Sequence, residues 1–513
     1  MVQKVAVIGA GPCGLSCIKA CLDEDLEPTC FESSDDIGGL WRYKEKPEPG
    51  RANIYQSLVV NSSKEIMAFS DFPPPAELPN NMHHTEVLLY LRLYAQAFNL
   101  LQHIHLQTLV VSVRQRPDFD VTGQWYVETE TAEGQREMHV FDAVMVCTGH
   151  YTQPHLPLSD FPGIDSFKGR YFHSWEYRSA KDLEGKRVVV VGIGNSGCDI
   201  AVDISRVAKR VYLSTRRGTW VLGRVGPGGL PFDIWFSRMV LMIIKLFPTW
   251  THWMLEKKLT KFFDHKLYGL KPNHKFWAQI PVVNDDLPAR IISGRVQVKH
   301  KVREFRETSV VFADGSIIDK VDVVVFATGY NYCFPFLPPE LQAKCGYRLR
   351  LYKHVFPPTL AEPTLAVVGF IHGFGAINRM AEMQARWATR VFKERNPIQV
   401  DLLSYIELLA EQVGAKPNIL QLFLTDPTLA LQVFMGPYTS YQYRLSGPGK
   451  WAGARQAILT QKQRIFQPFR TRVVLDETEN EASSSLSILM ALIAGAALLW
   501  YLFHNWQLPF SPL

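Results

Sequence analysis

The glycine pattern G-x-G-x-x-G occurs twice in this chain of 513 residues, each time between an apolar run and an amphipathic segment. Residues 5–14 read V-A-V-I-G-A-G-P-C-G, and residues 188–197 read V-V-V-V-G-I-G-N-S-G. In a dinucleotide-binding fold, these glycines permit a tight turn, close approach of the pyrophosphate and tight packing of helix on strand. The repetition predicts an α/β protein with two Rossmann-like domains. The predicted binding residues are Gly9, Gly11 and Gly14 in the first copy, and Gly192, Gly194, Asn195, Ser196 and Gly197 in the second.

The residue at the end of the second strand of each unit selects the nucleotide. The first unit ends this strand at Glu32, which lies 18 residues beyond Gly14. An acid near this spacing accepts a hydrogen bond from a ribose hydroxyl and repels a 2′-phosphate. The second unit has cations here, which suit a 2′-phosphate, within the run Ser214, Thr215, Arg216 and Arg217. The sequence therefore predicts FAD at the first site and NADPH at the second.

The overall composition indicates a globular protein with a mild excess of positive charge. Hydrophobic residues make up 47% and charged residues 20%, and 55 basic against 49 acidic residues give a net charge of +6. This balance suits an anionic cofactor or a membrane surface and does not imply nucleic-acid binding. The eight cysteines show no zinc-ligand spacing, so no metal site is expected. Met1 leads almost directly into the first strand, so no signal peptide is expected.

The C-terminal region predicts a membrane anchor. Residues 486–503 carry no charge and are just long enough to span a bilayer. Aromatic residues gather at their end, as at a membrane interface: Trp500, Tyr501 and Trp506. This segment predicts a transmembrane helix that holds the rest of the chain on the cytosolic side. A buried terminal helix is the alternative interpretation.

Residues 231–280 are rich in Trp, Phe, Leu and Met and interrupt the second nucleotide unit. We interpret them as an amphipathic helical insertion that could touch the membrane and line a substrate route. A helical cap packed on the core is the alternative.

Two further motifs carry a resemblance to a known family. A G-G-L-W turn occupies residues 38–41, and residues 167–177 contain F-x-G-x-x-x-H-x-x-x-Y. In these residues the sequence resembles the flavin-containing monooxygenases, and the second motif resembles a fingerprint that they share with Baeyer–Villiger monooxygenases. From the residues alone, the second motif is interpreted as a polar linker between nucleotide domains, and Trp175 stands where the family usually has Arg. The resemblance implies FAD contacts from Gly39, Leu40 and Trp41, and a fingerprint linker of Phe167, Gly169, His173 and Tyr177.

The same resemblance assigns residues near the flavin ring. The stretch 57–65, S-L-V-V-N-S-S-K-E, matches the family segment that holds an asparagine beside the flavin, which places Asn61 in a catalytic position. Its amide could donate to a flavin-bound oxygen and to the nicotinamide carboxamide. The run Q-A-R-W at 384–387 continues the resemblance and adds Gln384 to the FAD contacts. Two departures flank this pocket: Arg379 stands where the family commonly has a proline, and the segment 392–402 is shorter than the helical segment usual there.

Paired buried strands suggest how the domains are divided. Residues 142–149 and 322–330 each end at a Thr-Gly turn, and we interpret these turns as crossings between two domains. We expect a discontinuous FAD domain over 1–155 and 331–445, and an NADP domain over 156–330 that contains the insertion. An extension and linker over 446–485 would then precede the anchor.

The resemblance implies an oxygenase. NADPH reduces FAD, oxygen adds to the reduced flavin, and the resulting hydroperoxide oxygenates a soft nucleophile such as an amine nitrogen or a thioether sulfur. The expected partners are small lipophilic substrates, oxygen and the endoplasmic reticulum membrane; a homo-oligomer is left open. The stretch 270–288 resembles the family branch inclined to carbonyl substrates, so Baeyer–Villiger oxygenation, or NADPH oxidation that releases peroxide, is the main alternative. A disulfide reductase ranks low for want of a redox cysteine pair, and a membrane-tethered nucleotide-binding protein without turnover is a distant alternative.

Overall fold

Two five-stranded parallel sheets form the frame of this computed structural model. The structure describes residues 2–339, 341, 351–373, 375–394 and 405–469. The predicted anchor at 486–503 lies outside these residues, as does most of the shortened segment 392–402. Within the described ranges, none of the helices combines the length and the apolar character that a membrane crossing requires.

The first sheet is built around the strand that leads into the first glycine turn. Strand Lys4–Ile8 pairs with Glu27–Phe31 on one side and with Ala143–Val146 on the other. Helix Pro12–Asp23 follows the turn and packs against helix Ile377–Glu394. Because both faces of a parallel sheet are covered, its strands are almost continuously apolar. Across the sheet the order is Leu365–Val367, Ala143–Val146, Lys4–Ile8, Glu27–Phe31 and Ile104–His105.

The second sheet repeats this plan around the second glycine turn. Its central strand Arg187–Val191 leads into helix Asn195–Ile204, and four consecutive valines of the strand are buried. The order across the sheet is Val296–Lys299, Arg210–Ser214, Arg187–Val191, Val323–Phe326 and Arg170–His173. The two predicted Rossmann-like sheets are thus confirmed.

The chain passes between the two sheets along a short antiparallel ribbon. Gln153–Pro154 pairs with Tyr330–Asn331, directly after the two Thr-Gly turns. Gly149 and Gly329 in these turns have φ values of +72° and +87°, which favour glycine. The chain leaves the first sheet after strand Ala143–Val146 and returns to it at strand Leu365–Val367.

Smaller elements surround the two sheets. Three small sheets consist of Thr108–Gln115, Trp125–Thr131 and Arg136–Phe141; of Val302–Phe305, Val310–Phe312 and Ile317–Ile318; and of Val221–Leu222 with Val282–Val283. The remaining described α-helices are Lys64–Met67, His84–Ala97, Phe119–Thr122, Arg238–Leu246, Pro248–Phe262, Leu287–Ile292, Tyr405–Gln412, Ile419–Thr425, Pro427–Met435 and Ala454–Phe466.

The predicted insertion contains two helices, Arg238–Leu246 and Pro248–Phe262. Leu255 and Leu259 pack on a small core around Trp220, which directly precedes strand Val221–Leu222 of the two-stranded sheet. Other large apolar side chains of the insertion are about half exposed: Trp235, Leu246, Phe247, Trp250 and Trp253. One part of the insertion therefore packs on a core and another part exposes apolar side chains, while its contact with a membrane stays a prediction.

Ala454–Phe466, the last α-helix that the structure describes, contacts the segment that follows Asn61. Its Arg464 donates to both carboxylate oxygens of Glu65, at 2.8 and 3.0 Å, and Tyr441 donates to the same carboxylate at 2.8 Å. The side chain of Glu65 is completely buried. A buried carboxylate is tolerated only when it is paired and hydrogen-bonded, so this contact fixes the chain just beyond Asn61.

We expect Arg464→Met to lower the free energy of unfolding by about 3 kcal/mol, because the substitution leaves the buried Glu65 carboxylate without its cation. Thermal and urea unfolding would measure the loss. The matched control is Arg455→Met, which removes an exposed pair with Asp426 and should cost less than about 1 kcal/mol. Equal losses for the two variants would contradict this account of the Glu65 contact.

Candidate functional site

The first glycine turn and the G-G-L-W turn form one surface of bare backbone. Gly9 has a φ of +99°, and a side chain at Gly14 would collide with the carbonyl oxygen of Gly9. A Cβ atom at Gly39 would lie 3.0 Å from the Cα atom of Gly11, and the N–H of Gly38 donates to the carbonyl of Ala10 at 3.0 Å. The structure thus brings these predicted FAD residues together at the start of helix Pro12–Asp23. The N–H groups at a helix start that have no partner within the helix suit a pyrophosphate.

Glu32 is buried beside this turn and holds it. One carboxylate oxygen accepts from the backbone N–H of Ala10 at 2.7 Å. The other accepts from the N–H of Ser34 at 2.9 Å and pairs with Arg51 at 3.2 Å. Glu32 therefore fixes the glycine turn in addition to its expected part in ribose recognition.

The first glycine turn, the G-G-L-W turn and Glu32 together form what we call the first cradle. Arg51 also belongs to it, although no sequence motif pointed to this residue. Its carbonyl oxygen accepts from the indole N–H of Trp175 at 2.7 Å. The residue that departs from the family fingerprint thus connects the fingerprint segment to the cradle around Glu32.

Gln384 forms hydrogen bonds with the backbone of Gly369 and of His354. The side chain is completely buried, and its oxygen accepts from the backbone N–H of Gly369 at 2.8 Å, while its amide nitrogen donates to the carbonyl of His354 at 3.4 Å. These contacts connect Gln384 to the Gly369 loop, and its direct contact with FAD stays a prediction.

The second glycine turn is shaped like the first, and together with the strand end at residues 214–217 it forms what we call the second cradle. Gly192 has a φ of +113°, and a side chain at Gly197 would collide with the carbonyl oxygen of Gly192. Gly194 and Asn195 are exposed, and Ser196 is half-buried. The oxygen of Asn195 accepts from the N–H of Val283 at 3.0 Å, which connects the helix start to strand Val282–Val283, just beyond the insertion.

The end of the neighbouring strand holds two free cations. Ser214 is buried and its hydroxyl donates to the carbonyl of His300 at 2.9 Å, while the hydroxyl of Thr215 accepts from the N–H of Gly218 at 3.0 Å. Arg216 and Arg217 are exposed. Among the residues that the structure describes, no carboxylate lies within ion-pair distance of either arginine, so both remain available to a 2′-phosphate.

The interpretation of the fingerprint segment as a polar linker is wrong. Residues Arg170–His173 form the edge strand of the second sheet, paired with Val323–Phe326. Phe167 lies in the core of this sheet, and a side chain at Gly169 would collide with the Phe167 ring. The motif is therefore a packed structural element, and its polarity resides in a few specific contacts.

Of the two remaining fingerprint residues, Tyr177 contacts the second nucleotide helix and His173 caps the turn after the edge strand. The hydroxyl of Tyr177 donates to Asp203 on that helix at 2.7 Å. Nδ1 of His173 accepts from the N–H of Trp175 at 3.0 Å and caps the turn. Burial lowers the pKa of His173 to about 4, so its ring is neutral at physiological pH.

Asn61 is held by an arginine that the sequence analysis did not single out. Arg224 donates to the amide oxygen of Asn61 at 2.8 Å and to the carbonyls of Val59 and Val60 at 3.3 and 3.4 Å. Arg224 in turn pairs with Asp285 at 2.8 Å. Because the amide oxygen is engaged, the amide nitrogen of Asn61 is the group left to donate to a bound molecule. Asp285 falls within the stretch 270–288 that the sequence analysis singled out, and no other motif pointed to this contact.

The insertion also touches the segment after Asn61. Asp233 accepts from the backbone N–H of Ser63 at 2.7 Å, and burial raises its pKa above the usual range. Arg379, at the start of helix Ile377–Glu394, exerts an opposing electrostatic effect on Asp233. The guanidinium of Arg379 donates to the carbonyl of Tyr438 at 2.7 Å and lies over the ring of Tyr438. The departure from the usual proline thus introduces a cation beside the insertion.

Comparison with known proteins agrees with this geometry. A family model described as flavin-binding monooxygenase-like matches residues 2–398 and 392–503. Flavin-containing monooxygenase 5 of Mus musculus is 50% identical over 523 residues, which cover 96% of this chain and 98% of that protein. Dimethylaniline monooxygenase [N-oxide-forming] 2 of Rattus norvegicus is 48% identical and covers 98% of this chain and 99% of its own length. The solved S-allyl-L-cysteine S-oxygenase of Allium sativum has the same fold, with a TM-score of 0.59, 24% identity and coverage of 97% and 98%.

Replacing both strand-end arginines, Arg216→Gln with Arg217→Gln, should raise the KM for NADPH about tenfold or more, because a charge-assisted contact to the 2′-phosphate is lost. The KM for NADH, which lacks that phosphate, should change less than about threefold. Steady-state oxidation of both nucleotides measures this. Lys209→Gln, an exposed change just before the same strand, is the control. A parallel rise for NADPH and NADH would refute the assignment of these cations.

Arg224→Leu should lower the turnover that depends on NADPH and oxygen about tenfold or more, since the Asn61 loop loses the hydrogen-bond donors of Arg224 and small misplacements in a site are costly. FAD content should remain unchanged, because the first cradle is not touched. The control Arg206→Leu removes an exposed pair with Asp286 and should leave the rate within about twofold. Unchanged turnover in Arg224→Leu would rule out this role of the arginine.

Proposed function

Since this chain belongs to the flavin-containing monooxygenase family, we propose that it oxygenates soft nucleophiles in small lipophilic molecules, namely amine nitrogens and thioether sulfurs. Family membership makes it a monooxygenase that uses FAD and NADPH. This leaves no support for the alternative of a nucleotide-binding protein without turnover. The substrate class is the part of the assignment that belongs to the proposal.

The residues of both cradles fit the two nucleotides. The first cradle offers bare backbone at Gly11 and Gly39 and an acid at Glu32, which suits a dinucleotide with a free ribose. The second offers an exposed helix start at Gly194 and free cations at Arg216 and Arg217. When bound, the flavin supplies the redox and oxygen chemistry, so the protein has to bind, orient and exclude water.

The observation that best supports the proposal is the fixed orientation of Asn61. Arg224 holds the amide oxygen, and the carbonyls of Val59 and Val60 hold Arg224, so the loop and the amide are oriented together. The free amide nitrogen is then a preorganised donor that costs no reorganisation during the reaction. A donor of this kind is sufficient because a soft nucleophile attacks without the help of a protein base.

The names of two similar proteins support nitrogen and sulfur as the acceptor atoms. The rat relative is described as N-oxide-forming, and the Allium sativum protein as an S-oxygenase of S-allyl-L-cysteine. These descriptions belong to those proteins, and for this chain they motivate a substrate screen that begins with tertiary amines and thioethers.

A second candidate function is Baeyer–Villiger oxygenation of ketones, or NADPH oxidation that releases peroxide. It is favoured by the stretch 270–288, which resembles the carbonyl-directed branch and supplies Asp285 to the Arg224–Asn61 contact. The same arrangement of Asn61 and Arg224 can therefore serve a soft nucleophile or a ketone as substrate. Product analysis distinguishes the two candidate functions.

We also propose that the chain is anchored in the endoplasmic reticulum membrane by residues 486–503, with its body in the cytosol, and that the domains divide as the sequence predicts. The half-exposed Leu246, Phe247, Trp250 and Trp253 support a second apolar contact with the bilayer. Their position on the insertion suits delivery of lipophilic substrates.

Stopped-flow absorbance tests the proposal. The purified protein is reduced with NADPH and mixed with oxygen in the absence of substrate. We expect a long-lived absorption band that belongs to neither reduced nor oxidised flavin and that decays faster when a thioether is added. Acceleration by ketones alone would favour the second candidate. An immediate return of oxidised flavin with equimolar peroxide would contradict the oxygenase.

A further inference from the structure

The backbone around Asn61 accepts hydrogen bonds from two side chains that lie far apart in the sequence. One is Arg224, which donates to the carbonyls of Val59 and Val60. The other is Asn81, whose amide nitrogen donates to the carbonyl oxygens of Val60 and Asn61 at 3.2 and 3.3 Å. The carbonyl of Val60 therefore accepts from both side chains. No motif of the sequence pointed to Asn81.

The two side chains act on different parts of Asn61. Arg224 holds the side-chain oxygen of Asn61, whereas Asn81 holds its backbone carbonyl. A carbonyl oxygen only accepts hydrogen bonds, so the group of Asn81 that faces both carbonyls is its NH2 group. Together the two contacts restrain the position of the Asn61 backbone and the rotation of its side chain, and they leave its amide nitrogen free to donate.

The segment that carries Asn81 connects the Asn61 loop to the core of the first sheet. The N–H of Val60 donates to the carbonyl of Met82 at 2.9 Å, directly beside the Asn81 contact. The side chain of Met82 is completely buried in the core of the first sheet. Helix His84–Ala97 follows at once and buries one face in the same core. The Asn61 loop is therefore attached to a rigid part of the molecule through this segment.

Lys64 holds the residues that precede Asn81. Its side chain is completely buried, and its ammonium donates to the carbonyl oxygens of Ala76 and Leu78 at 2.7 and 2.6 Å. A third and longer hydrogen bond, of 3.3 Å, goes to the carbonyl of Pro75. These three acceptors use all three donors of the ammonium. The backbone N–H of Lys64 also donates to the carbonyl of Asn80 at 2.6 Å.

The charge of Lys64 makes this arrangement sensitive to the position of residues 75–80. Burial lowers the pKa of Lys64 to about 8, and the neighbouring carboxylate of Glu65 opposes part of this effect. The side chain is therefore mostly protonated at neutral pH. A buried charge costs free energy unless its hydrogen bonds are made, so the ammonium stabilises the one conformation that surrounds it with carbonyls. Asn81 is the next residue along this restrained segment.

We propose that Asn81 is a positioning residue for Asn61, and that Lys64 keeps Asn81 in place by ordering residues 75–80. This inference rests on the proposed function, in which the amide nitrogen of Asn61 donates to a bound molecule. It adds to Arg224 a second determinant of the Asn61 geometry, which comes from the first half of the chain.

The test is a double-mutant cycle of Asn81→Asp and Asn61→Ala in the full-length protein loaded with FAD. Asn81→Asp keeps the size of the side chain but turns an oxygen, in place of a donor, toward the two carbonyls. The measurement is the lifetime of the long-lived absorption band that follows reduction with NADPH and mixing with oxygen. We expect a lifetime about tenfold shorter in each single variant, because small misplacements in a site are costly. Since Asn81 acts through Asn61, the double variant should match Asn61→Ala within about twofold.

Gln102→Glu is the matched control, because it makes the same change from amide to carboxylate on an exposed residue, and its lifetime should equal that of the wild type. If Asn81→Asp does not fold, Asn81→Leu takes its place, since leucine has a similar volume and adds no charge. A wild-type lifetime in the Asn81 variant, or two effects that multiply in the double variant, would overturn the inference. Both outcomes leave Asn61→Ala impaired. A wild-type lifetime in Asn61→Ala would instead contradict the role of Asn61 in the proposed function, and this inference with it.

Lys64→Met tests the outer part of the contact, because methionine keeps much of the stem and removes the ammonium. The lifetime should fall about threefold or more, and the substitution should shorten it no further when it is added to Asn81→Asp. A wild-type lifetime in Lys64→Met, or a further loss in the combined variant, would overturn the part of the inference that concerns Lys64.

Discussion

Backbone contacts too close for any side chain determine the two nucleotide turns of this protein. A Cβ atom at Gly14 or at Gly197 would collide with the carbonyl oxygen of the first glycine in its own turn. The tight turn brings the helix start to the edge of the sheet, where its N–H groups are free to bind phosphate. Because the constraint occurs twice, the chain has two sheets with the same plan, and the remaining structure has to bring them together.

A small number of polar side chains join the two halves. Tyr55 donates to Asp199 on the second nucleotide helix at 2.6 Å, and Arg224 reaches across to Asn61. Trp175 connects the edge of the second sheet to the first cradle. On the side of the first sheet, these contacts are made by residues within the segment 51–61, which also carries Asn61. We expect this segment to determine how the two nucleotide sites are oriented relative to each other.

The sequence was sufficient for every feature that is local. Glycine spacing, buried valine runs and the Thr-Gly turns each depend on a few neighbouring residues, and the structure contains them where they were expected. Features that depend on distant contacts could not be predicted. Asn61 and Arg224 are 163 residues apart in the chain, and the polar composition of 167–177 concealed the edge strand Arg170–His173. Likewise, Gln384 carried a family motif, but only its tertiary surroundings reveal that it supports Gly369.

We propose that the two cradles hold different nucleotides, so that a substitution can disable the second cradle and leave the first intact. Gly194 offers the most direct test, because a Cβ atom there meets open space and the fold should tolerate a side chain. The measurement is flavin reduction in Gly194→Glu, with NADPH and with dithionite as reductants. We expect one FAD per chain and normal reduction by dithionite. Reduction by NADPH should be at least a hundredfold slower, since the carboxylate of the new glutamate would repel the phosphates of NADPH. Reduction by NADPH at the wild-type rate, or loss of FAD from this variant, would contradict the proposal.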